Sequence, residues 1–363
     1  MSKVNVNFSL EKKYFADIPH QEDEANNINY RLFDDPTQKG SLDTLELTAD
    51  FASNKPGTKD IPNLLKRAKS KYFTDGYLLH LLNIDSPLKK EYWDTWHCNS
   101  SLRFDGNTYF GTYCKKRWCI VCARIMTAKR IKTYLPILKD EFEEPYFVTL
   151  TQPNIKSENL RCEISKITKS FRNILENNRK NYGLKIKGTR NLEITYNSKR
   201  DDYHPHLHCI IDGKTEASFF KDNWLKQFPE ANIKGQHIRP FGKGVNDLLE
   251  AFKYSQKIIT QSDGKKFIYV NAMDIINVAT KGGKGGVRLF QTFGFIQPKD
   301  ETELTPEEET GIRELTDDND IQMVLYQYNK EIFDWIDHET GEVLTHYQPS
   351  KIMDDIRNNK IIF

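Results

Sequence analysis

Three histidines within five residues, followed at once by an apolar run, restrict this chain more than any other feature. The stretch is Tyr203-His204-Pro205-His206-Leu207-His208-Cys209-Ile210-Ile211, closed by the turn pair Asp212-Gly213. A short apolar run ended by a turn predicts a buried strand leading into a loop. Side chains alternate along a strand, so His206 and His208 face one way while Leu207 and Cys209 face the other. Two imidazoles one strand repeat apart can grip a single divalent cation; the alternative is a histidine-bearing edge strand with no ligand. His204 is in phase with them, but Pro205 breaks the ladder there and leaves its direction open.

The strand needs a partner, and Asn191-Leu192-Glu193-Ile194-Thr195-Tyr196 supplies one. Leu192, Ile194 and Tyr196 share one face, Glu193 and Thr195 the other. The connector Asn197–Tyr203 is short and polar, which predicts antiparallel pairing with the histidine strand. In a suitable register Glu193 stands beside His206 and His208. Two imidazoles and a carboxylate, with positions left for substrate oxygens, suit Mg²⁺ or Mn²⁺ acting on a phosphate. An exposed strand carboxylate is the plainer alternative.

Four of the six cysteines, Cys98, Cys114, Cys119 and Cys122, fall within 25 residues. A chain without a secretory signal keeps its thiols reduced, so clustered thiols point to metal rather than to disulfides. Four thiolates at such spacing suit tetrahedral Zn²⁺, and a module this small needs the ion to hold its shape. The alternative is four free thiols. The block also carries Arg117, Arg124, Lys129, Arg130 and Lys132, the last four on a helix expected over residues 123–139.

Around these motifs the chain alternates strands and helices. Residues 1–60 read as polar and loosely structured. Helical spacing over 61–83 is interrupted at Asp75-Gly76, which predicts two short helices. Pro145–Thr151 reads as a strand, 157–182 and 218–227 as helices, and 267–279 as core. In Val245–Thr260, Val245, Leu248, Leu249, Phe252 and Ile259 form an apolar stripe. Glu250, Lys253, Tyr254 and Lys257 lie together on the opposite face. A tyrosine with lysines at hand and a carboxylate one turn earlier has what a phenolic nucleophile needs, though such a face is also what an ordinary solvated helix shows. Lys281-Gly-Gly-Lys284-Gly-Gly-Val-Arg288 is a basic glycine loop without the Walker pattern, which argues against a nucleotide triphosphate site.

Charge sorts along the chain behind a net +2. Residues 101–300 hold 35 Lys+Arg against 20 Asp+Glu, and residues 301–363 hold 5 against 16. A basic middle with an acidic tail points to a polyanion partner for the middle; a solvated basic surface is the alternative. No apolar run is long enough to span a bilayer and the N-terminus lacks a signal-peptide core, so no membrane partner and a cytoplasmic location are expected.

Several separated pieces together resemble one family. Phe147-Val-Thr-Leu-Thr151, His206-Leu-His208-Cys-Ile-Ile211 and Glu250-x-x-Lys253-Tyr254-x-x-Lys257 occur in the order of motifs one, two and three of plasmid rolling-circle replication initiators, members of the HUH endonuclease superfamily. The block Cys114-Lys-x-Arg117-x-Cys119-x-x-Cys122 resembles the segment before motif one in the Gram-positive plasmid branch, although Ile120 stands where that branch often has proline. Arg288 through Phe293-Gly294 resembles its closing segment. The likeness covers roughly residues 95–295.

The resemblance implies an α+β chain with the HUH endonuclease fold: a central antiparallel β-sheet (RRM-like) flanked by helices, with a small cysteine-rich zinc module. Read along the chain, four regions are expected: 1–60, loosely structured; 61–140, helical with the Cys module at 98–122; 141–298, the nicking and DNA-binding domain; 299–363, an acidic linker and small appended element with a hairpin near Glu339-Thr340-Gly341; residues 1–90 and 300–363 lie outside the resemblance. The resemblance makes Tyr254 the nucleophile, with Glu250 and Lys257 assisting, and His206, His208 and Glu193 ligands of Mg²⁺ or Mn²⁺. Cys98, Cys114, Cys119 and Cys122 would hold Zn²⁺, and Arg117, Lys253, Lys281, Lys284 and Arg288 would contact DNA. The expected activity is a site-specific nick at a plasmid origin through a 5′-phosphotyrosyl link. Expected partners are single-stranded or extruded origin DNA, host helicase and polymerase, and a second copy as a homodimer. A relaxase or transposase of the same superfamily, and a non-catalytic zinc-dependent DNA-binding repressor, are the alternative readings.

Overall fold

Glu193 and the histidines meet because two long strands pair in the register their alternation requires. In the computed structural model the described residues are 61–106, 109–183, 185–242, 247, 251–252, 260–262, 265–281, 287–294, 312–314, 324–351, 354, 357 and 361–362. The elements in order are α1 (Ile61–Asn83), α2 (Lys89–Trp96), β1 (Ser101–Phe104), β2 (Tyr109–Gly111), α3 (Ile120–Asp140), β3 (Pro145–Thr151), α4 (Leu160–Tyr182), β4 (Gly188–Asn197), β5 (Asp202–Asp212), α5 (Lys214–Gln227), β6 (His237–Pro240), β7 (Thr260–Ser262), β8 (Lys265–Tyr269), α6 (Val270–Ala279), β9 (Phe290–Phe293), β10 (Ile312–Glu314), β11 (Val324–Asn329), β12 (Asp334–Asp337) and β13 (Ile361–Ile362).

The central sheet has the order β6-β3-β5-β4-β9, and every pairing in it is antiparallel. One face carries Val148, Leu150, Leu192, Ile194, Leu207, Cys209 and Ile211. They pack on Leu160, Ile164, Ile167 and Phe171 of α4, on Phe220 and Trp224 of α5, and on Ile276 of α6. Each of these aliphatic and aromatic side chains contributes about 1.5–3 kcal/mol on burial, which makes this face the structural one. The opposite face carries the histidines and a smaller apolar patch: Phe147, Ile210, Phe241, Ala251 and Phe252 packed with Ile131, Ile137 and Leu138 of α3. The chain is thus α+β with an antiparallel central sheet, as expected. At the end of β9, Gly294 adopts φ +74°, and a Cβ there would lie 2.2 Å from the Ile186 carbonyl oxygen. The Phe-Gly closing pair therefore marks a close backbone approach.

Pro205 does not break the strand. Tyr203 exchanges backbone hydrogen bonds of 2.8 Å with Ile155, so alternate residues of β5 direct their N–H groups to that side. At Pro205 that side is the gap where residues 152–154 leave the ladder, and its missing N–H is not needed. His204 consequently stays in phase, its ring stacked on His206 with centroids 5.1 Å apart.

Other expectations are corrected. Residues 61–83 form one helix, not two. A glycine in mid-helix costs about 1 kcal/mol relative to alanine, far less than the burial of Tyr72, Phe73, Tyr77, Leu78 and Leu81 returns. Gly76 serves close approach: a Cβ there would come within 2.7 Å of Arg357 Cγ, and the Arg357 guanidinium lies over the rings of Tyr72 and Phe333 at 4.2 and 4.5 Å. Thr260 opens β7 instead of ending a helix. The segment expected to stand as an appended element is built into a second sheet, β10-β2-β1-β11-β12, where β11 pairs with β1 from Ser101↔Gln327 to Phe104↔Val324. Its turn near residues 339–341 is present, with Asp337 Oδ1 accepting from the Glu339 and Thr340 N–H groups and Val343 bridging back to Ile336.

α6 joins the two regions. Val270 and Met273 pack on the α1–α2 core while Ala272 and Ile276 pack on the central sheet. Asp274 on the same helix accepts hydrogen bonds of 2.6 Å from both Ser86 and Tyr92. None of the helices among the described residues is long and apolar enough to cross a membrane.

Candidate metal centre and nucleic-acid interface

Glu193 pairs directly with His206 across β4 and β5, and Asn191 with His208. Glu193 Oε2 lies 3.9 Å from His206 Nε2 and 3.5 Å from His208 Nε2. One ligand atom from each of the three residues falls within 4.8 Å of the others. All three side chains are about nine-tenths buried. The imidazoles are aimed by their other nitrogens: His206 Nδ1 is 3.1 Å from the His204 carbonyl oxygen, and His208 Nδ1 is 3.4 Å from Thr149 Oγ1. Because a carbonyl only accepts, His206 carries its proton on Nδ1 and presents the Nε2 lone pair to Glu193. Burial drives the His206 pKa down to about 3, so the ring is neutral at physiological pH. Two imidazoles with oriented Nε2 atoms beside a carboxylate are the donor set a divalent cation requires.

The second cluster lies at the start of α3. Cys98 Sγ is 3.6 Å from Cys122 Sγ and 3.8 Å from Cys119 Sγ, and Cys114 Sγ is 3.7 Å from Cys122 Sγ. Four thiolates about 2.3 Å from a tetrahedral ion stand about 3.8 Å apart, so the sulfurs fit one such ion. Backbone N–H groups of Cys114 and Lys115 point at Cys98 and Cys122 sulfurs, at 3.4 and 3.3 Å. Hydrogen bonds from the other three thiols hold the Cys98 thiol well below its usual range, while burial pushes Cys119 up. The cluster is welded to its surroundings by Tyr77, which donates to the Trp118 carbonyl, and by Trp118 Nε1, which donates to Thr95 Oγ1 at 2.9 Å.

Of the cations expected to meet DNA, Arg117, Lys281 and Arg288 line one cleft of about 450 Å³ between the cysteine module and the edge of the central sheet. Lys115, Lys116 and Arg130 line it too, as does Glu91, whose carboxylate pairs with Lys281 Nζ at 2.7 Å. Lys281 holds the Glu91 carboxyl below its usual pKa. Arg117 donates to the Thr280 carbonyl, and the Arg130 guanidinium sits 4.4 Å above the Phe290 ring. Lys115 and Lys116 carried a signal, since they sit inside the Cys114–Cys119 block. Arg130 was visible only as one of several basic residues on a helix.

Glu250, Lys253, Tyr254, Lys257 and Lys284 lie outside the described residues. Immediately before Lys253, Phe252 is fully buried on the histidine-bearing side of the sheet, stacked on Tyr134 of α3 at 5.8 Å and against Phe290 at 5.7 Å.

The sequence profile of the replication protein family matches residues 107–341, well over half the chain. The chain belongs to this family. It is 38% identical to the protein named Protein rep of Staphylococcus aureus, over 44% of this chain and 79% of that relative. It is 25% identical to Protein rep of Streptococcus pneumoniae serotype 2, over 61% of this chain and 75% of the relative. A Protein rep from Bacillus sp. is 34% identical over 33% of this chain and 39% of its own length. No solved structure matches the chain significantly. The family's matched span contains the Glu193–His206–His208 cluster and three of the four clustered cysteines.

Proposed function

We propose that this chain initiates rolling-circle replication of a plasmid as an HUH-type endonuclease, nicking one strand at the origin through Tyr254 and rejoining DNA at termination. The observation that carries the reading is the buried Glu193–His206–His208 cluster at the centre of an antiparallel sheet. The Rep names of the relatives favour replication over conjugative transfer or transposition. The DNA would be single-stranded or extruded from a hairpin. Helicase and polymerase would come from the host, and the cytoplasm is the setting.

Glu193, His206 and His208 would hold Mg²⁺ or Mn²⁺, and Cys98, Cys114, Cys119 and Cys122 would hold Zn²⁺. A divalent cation bound beside the scissile phosphate supplies Lewis-acid polarisation of a phosphoryl oxygen. The His204 carbonyl and Thr149 keep both rings aimed at that position, so little reorganisation is needed when charge develops. The Tyr254 phenolic oxygen forms the new bond to phosphorus, the bond to the 3′ oxygen breaks, and the departing 3′ end takes up a proton as a free hydroxyl. Lys257 favours the phenolate, and Glu250 takes the proton from the later nucleophile that releases the 5′ end. One phosphodiester is exchanged for one phosphotyrosyl ester, so rejoining requires no ATP. Phosphate contacts fall to Arg117, Lys253, Lys281, Lys284 and Arg288.

The test is cleavage of a single-stranded origin oligonucleotide with Mn²⁺. Nicking should be abolished by Glu193→Ala, by His206→Ala and by chelation. Cleavage by His206→Ala at the wild-type rate in the presence of chelator would remove the cation from the reading.

A further inference from the structure

Nicking leaves one proton without a donor: the one that the departing 3′ oxygen takes up. The donor has to stand on the histidine-bearing face of the central sheet, close to the Glu193–His206–His208 cluster, and to release a proton near neutral pH. Direct pairing decides which described residues share that face. Around the cluster these are threonines, Asn191, apolar side chains, Arg239, His204 and His237. A hydroxyl or an amide holds its proton too tightly, and a guanidinium stays charged. Asp202 and Asp212 lie at the two ends of β5, paired with Arg200 at 2.9 Å and with Lys187 at 3.0 Å. The His204 ring is committed, stacked on His206 and hydrogen-bonded to the Gln152 backbone. His237 remains.

His237 stands in line with the cluster. It pairs directly with Thr149 across β6 and β3, and Thr149 pairs directly with His208 across β3 and β5. Directly paired residues face the same side, and adjacent strands lie about 4.8 Å apart, so the backbone at His237 is about 10 Å from that at His208. Only the small Thr149 side chain lies between them in that row. A phosphate seated against the cluster spreads over Thr149, and an ester oxygen on that side meets the His237 imidazole directly or through one water.

The position is built from both sides. Gln236, just before it, is buried: its Oε1 accepts from the Thr151 N–H at 2.8 Å, and its Nε2 donates to Thr151 Oγ1 at 3.0 Å and to the Asn232 carbonyl at 2.9 Å. Thr151 is itself paired with His206. Two residues after His237, the Arg239 guanidinium lies 4.4 Å over the Phe147 ring and pairs with Asp247 at 2.7 Å. The flanking residues are thus tied down while the His237 side chain is exposed.

We propose that His237 is the general acid for the departing 3′ oxygen and the base that recovers the proton on rejoining. The proposal rests on the nicking reading. As the Tyr254 oxygen bonds to phosphorus, the bond from phosphorus to the 3′ oxygen breaks and its electron pair stays on that oxygen. The imidazolium passes its proton there, which leaves a neutral imidazole and a 3′-hydroxyl. In rejoining, the neutral imidazole takes the hydroxyl proton as the 3′ oxygen attacks phosphorus and the tyrosyl oxygen leaves. Imidazole as a class titrates close to physiological pH, which lets it serve in both directions.

The experiment compares two single-stranded origin oligonucleotides under single-turnover conditions with Mn²⁺: the ordinary one, and one with sulfur in place of the bridging 3′ oxygen at the scissile phosphate. A thiol is far more acidic than an alcohol, so the sulfur leaves as a thiolate and needs no proton. His237→Gln should slow the oxygen substrate by about 10²–10⁴-fold, the usual effect of losing a general acid, and leave the sulfur substrate at the wild-type rate. His237→Ala repeats the comparison, and melting temperature and oligonucleotide binding should be unchanged in both variants. Equal losses on the two substrates at an unchanged melting temperature would make His237 a residue that only binds or positions, and overturn the proposal. A wild-type rate on the oxygen substrate overturns it as well. The two readings fail differently: a normal Tyr254 adduct with either of those results sinks His237 alone, whereas a wild-type protein that forms no adduct on either substrate sinks the nicking reading and His237 with it.

Discussion

Replacing Cys119 by serine tests whether the cysteine cluster is a metal site that holds the fold together. Cys119 is fully buried, its sulfur 3.8 Å from that of Cys98, at the N-terminus of α3. A hydroxyl there is a shorter and harder donor, and the site loses one of four thiolates. Structural zinc in isolated finger peptides is worth about 10–16 kcal/mol. Here part of the geometry is already secured by Trp118, Ile120 and Val121, so the expected loss is smaller. A thousandfold weaker metal affinity removes about 4 kcal/mol of ligand stabilisation. That is a large part of the roughly 5–15 kcal/mol that holds a domain folded. It corresponds to a fall in melting temperature of about 8–16 °C for a domain of this size. The assay is metal content by mass spectrometry, with thermal unfolding by circular dichroism before and after chelation. Wild-type protein should carry about one zinc and melt lower once it is removed; Cys119→Ser should carry little and ignore the chelator. Well-folded wild-type protein without zinc, or a Cys119→Ser variant with full zinc and an unchanged melt, refutes the reasoning.

Two further outcomes are expected. Glu250→Ala should leave the first nick intact and let the covalent intermediate accumulate, because loss of a general base slows the releasing step about 10²–10⁴-fold; gel assays that find the first nick abolished would move Glu250 to the initiating step. Lys330, whose pKa burial lowers to about 7, is protonated up to about pH 10.4 once unfolded. The unfolded state therefore binds more protons between these values, and stability should rise with pH across that window. Lys330→Met should remove about 1–2 kcal/mol of that rise. Urea unfolding at about pH 7 and 9.5 measures it, and a rise undiminished in the variant would clear Lys330 of the effect.

Much of the central site was legible because strand periodicity is a local property. The parity of His206 and His208, and the placement of Glu193 opposite them, need only alternation and a short connector, and the register delivers both. Cysteine spacing carried the second cluster in the same way. What could not be read depended on partners distant in the chain. Gly76 looks like a helix breaker until Arg357, 281 positions later, is found lying against it. Residues 324–337 look like an appendage until β11 pairs with β1, whereas the hairpin of β1 and β2 between the first two clustered cysteines did carry a local signal, the Asp105-Gly106 pair, that went unread. Pro205 looked disruptive because the gap it faces is created by residues 152–154 of another strand's end. The cleft escaped for the same reason, its cations coming from four separated segments.

The central claim is covalent chemistry at Tyr254, and it is tested most directly by trapping the protein on DNA. The full chain is incubated with a 5′- and a 3′-labelled single-stranded origin oligonucleotide and Mn²⁺, denatured, and the adduct digested for peptide mass mapping. The account predicts that the label on the 3′ side of the nick travels with the protein on a peptide containing Tyr254, that the other fragment ends in a free 3′-hydroxyl, and that Tyr254→Phe yields neither. Cleavage at full rate by Tyr254→Phe, or an adduct mapped to a different residue, would contradict it.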